Sequence, residues 1–226
     1  MALDTVFGDG SDLLDQLMAV IRTNGLMDLL GGLNEAGAVD QTTSWMGAGP
    51  NEPIAADQVM LYKLVCRQVA DRMGMSASFL PKPVTGVNGN GMHTNLSVSK
   101  GSKNLFYGSG AEGLSDLGWQ FIDRILTSAN DICLVLNASV NAYRRLDPHF
   151  EAPNQIKASP VDRGSMVRIP IGNEKSARVE VRSVAPDANP YLVLYTLLKT
   201  GLEGPLTEGI RTLESSLPDN IYTALE

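Results

Sequence analysis

The sequence predicts an α+β domain in which an antiparallel sheet carries helices on one face. Three observations lead there. Short segments with a two-residue alternation recur at 92–99, 165–171 and 178–184, longer segments with a helical period flank them, and their order is irregular rather than a strict strand-helix alternation. Of 226 residues, 43% are hydrophobic and 19% charged, the make-up of a globular chain that buries a real core.

The first helix is expected over 11–31, capped by Ser11 or Asp12, with Leu13, Leu14, Leu17, Met18 and Ile21 on one stripe and Gly31-Gly32 as its end. Residues 33–53 lack a sustained period and read as loop or weak strand. A second helix over 54–73 follows from the spacing of Val59, Met60, Tyr62, Leu64, Val65 and Val69, with Gly74 as a natural stop. Pro81 and Pro83 exclude helix from 76–84 and point to a short extended segment at a sheet edge or exit. Alternation over 92–99 puts His93, Asn95 and Ser97 on one strand face, and Gly101-Ser102 reads as a hairpin turn. One long helix is expected over 115–143, with Phe121, Ile122, Ile125, Leu126, Ile132, Leu136 and Val140 facing the core. In the strand over 165–171, Val167, Ile169 and Ile171 share a face opposite Arg168; over 178–184, Val179 and Val181 share one opposite Glu180 and Arg182. A helix over 190–202 and a short one near Asn220 complete the chain.

The net charge of −7, without a lysine or arginine stripe, argues against nucleic acid or an anionic membrane as partner. Local clusters of cations must therefore meet any anionic ligand. No apolar run reaches the roughly 18 residues of a membrane span and no secretory signal opens the chain, so a cytoplasmic location is expected. Cys66 and Cys133 sit in apolar helical patterns and read as small buried hydrophobes.

If the three strands share a sheet, one face collects His93, Asn95, Ser97, Arg168, Glu180 and Arg182. Such a face suits a phosphate and a divalent metal better than a core. The run Gly86-Val87-Asn88-Gly89-Asn90-Gly91 enters the histidine strand directly and lets backbone approach a ligand, although on its own it reads equally as a turn. Arg144, Arg145, Glu151, Lys157, Arg163 and Arg168 form a second cluster, read either as an anion clamp or as a solvated cationic surface. Glu180 between Arg178 and Arg182 also fits a plain strand ion pair.

At these residues the chain resembles the carboxy-terminal catalytic domain of glutamine synthetases. The matching segments are 79–83 (FLPKP), 88–93 (NGNGMH), 141–146 (NAYRRL), 150–153 (FEAP), 167–170 (VRIP), 177–182 (ARVEVR) and 188–191 (ANPY), in family order from about 55 to 204. The resemblance implies a two-step ligation: ATP phosphorylates the side-chain carboxylate of glutamate, and ammonia displaces phosphate to give glutamine. It implies His93 and Glu180 as metal ligands (Mg2+ or Mn2+), Asn88, Gly89, Arg145 and Arg182 as glutamate contacts, and Arg163 and Arg168 as the arginines on the phosphates. Glu151 matches the loop glutamate that takes a proton from ammonium, and Ser97, Lys175 and Arg178 fall on the nucleotide side.

The departures are specific. Asn95 stands where many family members carry a second histidine. The family's amino-terminal sheet domain, with its ammonium aspartate, is expected to be absent. The chain divides into a poorly matching segment, 1–53, and a catalytic-domain-like part, 54–226. Glu35 and Glu52 are the nearest substitutes for two further metal carboxylates. A ligase using an amine in place of ammonia and a non-catalytic binding or assembly module are the alternatives. The family forms rings of subunits; without the first domain, a monomer or smaller homo-oligomer is the expectation.

Overall fold

The structure is a computed structural model that describes residues 55–221 and residue 224. The chain divides into two compact units, Met1–Ser78 and Phe79–Glu226, each treated separately below. The helix expected over 11–31 and the loop over 33–53 lie outside the described residues.

In the first unit, α1 (Ala56–Arg72) forms where the second helix is expected. Gln58 Oε1 accepts the Ala55 backbone N–H at 3.0 Å, and Asp57 in the first turn and Arg72 in the last complement the helix dipole. Gly74 closes the helix at φ 68°, donating its N–H to Asp71 O at 3.0 Å.

The second unit opens on the proline-bearing segment, which is not a sheet edge. Asn141 takes both polar groups of Lys82, accepting its N–H at 2.7 Å and donating to its carbonyl at 2.9 Å, and Pro81 O accepts the Asn90 N–H at 2.7 Å. A side chain and a loop amide thus satisfy backbone that a strand ladder would otherwise pair. β1 (Thr94–Leu96), β2 (Ser99–Lys100) and β3 (Lys103–Asn104) follow, with Gly101 at φ 60° turning β2 into β3 as expected.

The single long helix is three: α2 (Asp116–Thr127), α3 (Ala129–Leu136) and α4 (Val140–Arg145). Apolar residues recur at helical spacing across both breaks, which is why the sequence reads as continuous, but Val140, expected in the core, is exposed. Both breaks are seen in the backbone angles. Ser128 turns at φ −98°, ψ 15°, and Asn137 leaves helical geometry at φ −134°, ψ 72°. Ser139 then restarts the chain, its hydroxyl accepting the Ala142 N–H at 3.1 Å and donating to Asp187 Oδ2 at 2.5 Å.

β4 (Gln155–Ser159), β5 (Ser165–Arg168), β6 (Val179–Val181) and α5 (Pro190–Glu203) complete the main elements. The four-stranded sheet has the order β1-β6-β5-β4. β6 is antiparallel to both β1 and β5, but β4 runs parallel to β5, so the sheet is mixed where a purely antiparallel one is expected. The sequence of β4 gives little signal: Ile156 is its one fully buried side chain, and its outer edge pairs with the carboxy-terminal segment through the Ile156 N–H to Ser215 O at 2.8 Å. Ile171 does not join Val167 and Ile169; β5 ends at Arg168, Pro170 follows, and Ile171 is exposed.

Asn189 caps α5, accepting the N–H groups of Tyr191 at 3.0 Å and Leu192 at 3.3 Å, with Pro190 at the first helical position. Near the expected terminal helix, Asn220 O accepts the Ala224 N–H at 3.3 Å. The core gathers Phe106, Phe121, Ile122, Ile125, Leu126 and Leu136 with Val167, Val179 and Val181 of the sheet. Burying each such side chain contributes about 1.5–3 kcal/mol. Phe106 and Phe121 pack with ring centroids 5.1 Å apart, and Gly201 of α5 gives Phe121 its space: a Cβ there would lie 2.2 Å from Phe121 Cε2.

Candidate active site

Strand register builds the site. Asn95 faces Glu180, and Arg168 faces Glu180 from the other side, so Asn95, Glu180 and Arg168 form one row across β1, β6 and β5. The neighbouring row, Thr94, Val181 and Val167, turns to the opposite face. Alternation alone therefore assigns these three polar positions correctly.

Glu180 is the hub. Its Oε1 lies 3.1 Å from His93 Nδ1 and 3.9 Å from Arg182 Nε, while Oε2 lies 3.3 Å from Arg168 Nε. Burial pushes the Glu180 carboxyl up. The hydrogen bond and charge of His93, with Arg168 and Arg182, outweigh it and hold the group below its usual range. Arg145, nearly buried in α4, donates from Nη2 to Arg182 O at 2.9 Å and from Nη1 to Val184 O at 3.3 Å. Burial, then the charge of Arg182, pull its guanidinium down to about 10.

Arg145 Nη2 also sits 3.4 Å from His93 Nε2. A guanidinium has only donors, so this contact is a hydrogen bond only in a tautomer of His93 that leaves Nε2 free to accept. Gly91 makes this approach feasible, since a Cβ there would stand 2.4 Å from Arg145 Nη2 and 2.8 Å from His93 Nε2. Gly89 has a related role: its Cβ would fall 2.4 Å from Pro81 O and 3.0 Å from Arg145 Cγ. The glycine-rich run is thus packed against Arg145.

Arg182 completes the floor. Its Nη1 donates to Arg163 O at 2.8 Å, but its buried Nε has no hydrogen-bond partner among the described residues. Burial lowers the Arg182 guanidinium too; Glu180 opposes that, while Arg168 and Arg163 add to it. At the rim, Arg163 Nη1 and Glu151 Oε2 pair at 2.5 Å, both largely exposed. Arg178 Nε donates to Asn95 Oδ1 at 3.0 Å. Asn88 is exposed in the glycine-rich loop, Ser97 is exposed just after β1, and Lys175 lies exposed in the turn before β6 with its N–H on Asn173 Oδ1 at 3.0 Å. No side-chain contact among the described residues ties Asn88, Ser97 or Lys175 to Glu180.

Two positioning residues, Lys82 and Asn141, lie inside matching segments of the sequence but have no role assigned to them there. Beyond the paired Asn141 contacts, Lys82 Nζ donates to Val87 O at 2.5 Å and lies 3.6 Å above the Phe150 ring, joining the glycine-rich loop to the loop of Glu151. The two prolines around Lys82 mark the segment as non-helical but say nothing of this reach.

Do these residues fit a divalent cation? Mg2+ takes about six ligands, mostly oxygen, and Mn2+ favours similar sites. His93 and Glu180 offer one nitrogen and one carboxylate, and among the described residues no group of three His, Cys, Asp or Glu side chains is placed to hold a metal ion. Glu35 and Glu52 lie outside the described residues. A dication about 4 Å from one guanidinium meets roughly 8 kcal/mol of repulsion at an effective dielectric constant near 20. The described residues by themselves therefore do not fit such an ion.

An α+β domain with an arginine-walled sheet face and a glycine-rich entrance is one built to hold phosphate or carboxylate groups. The profile described as glutamine synthetase, catalytic domain, matches residues 50–226. The chain belongs to the glutamine synthetase family. A glutamine synthetase of Staphylococcus aureus (strain MRSA252) is 38% identical over 191 residues, covering 76% of this chain and 43% of that protein. One of Clostridium saccharobutylicum is 43% identical over 150 residues, covering 66% and 34%. A solved structure described as apo GmaS without ligand matches with a TM-score of 0.63 and 33% identity, over 75% of this chain and 42% of that one. The chain thus spans less than half the length of these relatives. A profile of YidB-like proteins matches residues 6–86, overlapping the first at 50–86. No helix among the described residues is long and apolar enough to cross a membrane.

Proposed function

We propose that this chain performs the glutamate-activating part of an ATP-dependent ligation of ammonia to glutamate. The observation that carries the reading is the charge of the floor. Among the described residues, Arg145 and Arg182 are both buried, Glu180 is the one buried carboxylate beside them, and Arg182 Nε has no hydrogen-bond partner. Buried charge of one sign in excess calls for an anion.

In this reading Arg145 and Arg182, with Asn88 and Gly89, hold the carboxylates and amino group of glutamate. A side-chain carboxylate oxygen attacks the γ-phosphorus of ATP, the bond from that phosphorus to the β,γ-bridging oxygen breaks, and ADP leaves with its electron pair. Arg163 and Arg168 draw off the charge that moves through the equatorial oxygens. Ammonia then attacks the carbonyl carbon of γ-glutamyl phosphate, inorganic phosphate departs, and Glu151 takes the surplus proton once its pairing with Arg163 opens. Ser97, Lys175 and Arg178 face the nucleotide. Mg2+ or Mn2+ belongs here as the counterion ATP brings with it, since the described residues offer too few oxygen ligands for a resident ion.

Phosphate release from ATP should require glutamate and should rise with ammonium; Arg168→Met should lower it at least about a hundredfold, the usual order for losing one transition-state donor. Faster release with methylamine than with ammonium would transfer the reading to an amine ligase. No glutamate-dependent release with either would remove it.

A further inference from the structure

We infer that Lys82 is a positioning residue that holds the Glu151 loop down on the glycine-rich loop and so keeps water away from the activated glutamate. Its Nζ donates to Val87 O at 2.5 Å, next to Asn88 and Gly89, and lies 3.6 Å from the centre of the Phe150 ring, next to Glu151. One half-buried group thus touches the neighbours of both stretches that the ligation reading places on the substrate.

The bridge starts from fixed backbone. Asn141 of α4 holds the Lys82 N–H and carbonyl, one helical turn before the buried Arg145. Asn90 fastens the same segment to the glycine-rich loop, donating its N–H to Pro81 O at 2.7 Å and its side-chain amide to Leu80 O at 3.0 Å. The receiving end is a tight turn in which Phe150 N–H donates to Asp147 O at 3.2 Å and Ala152 N–H to Phe150 O at 2.7 Å. Hydrogen bonds from the His149 backbone and ring hold the Asp147 carboxyl below its usual range, and the charge of Lys82 adds to them, so Lys82 meets the base of the turn as well as its ring.

The far end of the loop shows what this contact is for. Glu151 pairs with Arg163 at the exposed rim, where an ion pair contributes little on its own. In the ligation reading, on which this inference rests, that pair opens as Glu151 takes a proton from the attacking ammonia. Lys82 and Phe150 keep hold of the loop while it does. A loop that lifts at that moment admits water, which attacks the carbonyl carbon of γ-glutamyl phosphate, expels inorganic phosphate, gives a proton to solvent and returns glutamate.

The test is amide hydrogen exchange of the full chain without substrate, read at Phe150 and Ala152 and compared with α2. Lys82→Met should speed both amides about tenfold, the order expected for losing one hydrogen bond and one cation–π contact, and leave α2 unchanged. Lys82→Arg, which keeps a cation over the ring, should restore the slow rates. Phe150→Leu removes the ring alone and should speed Ala152, which keeps the test decisive if Lys82→Met does not fold. Unchanged exchange in whichever variant folds overturns the inference. With ATP and glutamate but no nitrogen nucleophile, Lys82→Met should also release phosphate faster by the factor its loop opens, a gain that a damaged site would not give. A loosened loop without that gain, in a chain that makes glutamine, overturns the shielding role; a loosened loop in a chain that makes none removes the ligation reading alone.

Discussion

Glu180→Ala is expected to destabilise the second unit by about 3–5 kcal/mol, the range for removing one partner of a buried ion pair. The substitution leaves Arg182 and Arg145 buried with no carboxylate beside them, and it frees His93 Nδ1 and Arg168 Nε. Urea unfolding at neutral pH measures the loss as a lowered midpoint with an unchanged slope. The pH dependence has a definite sign. Folded, Glu180 binds its proton less readily than at its ordinary 4.5, so the unfolded chain takes up that proton first as pH falls. Its stabilisation is complete above about 4.5 and is lost as pH drops through the lower folded value. The stability gap between the natural chain and Glu180→Gln should therefore narrow in acid. A gap that stays constant, or widens, contradicts the charge assignment.

Gly201→Ala should destabilise by about 2 kcal/mol or more, within the range for overpacking a core. In most helix interiors the same change gains about 0.5–1 kcal/mol, because alanine has less backbone freedom to lose. Here the new Cβ falls 2.2 Å from Phe121 Cε2 and 2.4 Å from Cζ, and Phe121 is fully buried against Phe106. The ring has nowhere to swing without opening the contact of α2 with α5. Phe121→Leu in the same chain should recover part of the loss, giving a non-additive double-mutant cycle. A stabilised Gly201→Ala would show that this helix pair is looser than the packing implies.

These two sites also show how far the sequence could be read. The row of Asn95, Glu180 and Arg168 follows from two-residue alternation, because a strand period fixes the face once three strands share a sheet. Glu180 between Arg178 and Arg182 reads in sequence as a plain strand ion pair, and in the structure Arg182 meets it while Arg178 turns to Asn95. The tie of Glu180 to His93 needs the register of β1 on β6, which periodicity does not give. The Gly201 and Phe121 contact is invisible in sequence, since it joins residues of two helices through an absent side chain. The helix breaks at Ser128 and Asn137 were hidden by an apolar stripe that continues across them, and the parallel strand β4 by having one buried residue. Asn95 stands where a family histidine was expected, and the structure gives it Arg178 to hold.

The glutamate-activating reaction is most directly tested by intercepting its product. Hydroxylamine attacks an acyl phosphate at the carbonyl carbon, giving a hydroxamate and inorganic phosphate, and needs no ammonium pocket. With ATP, glutamate and hydroxylamine, the full chain should form γ-glutamyl hydroxamate in step with ADP, and Arg168→Met should lose both together. ADP released without hydroxamate, or neither product from a chain that binds both substrates, would contradict the assignment of this arginine-walled face to phosphoryl transfer.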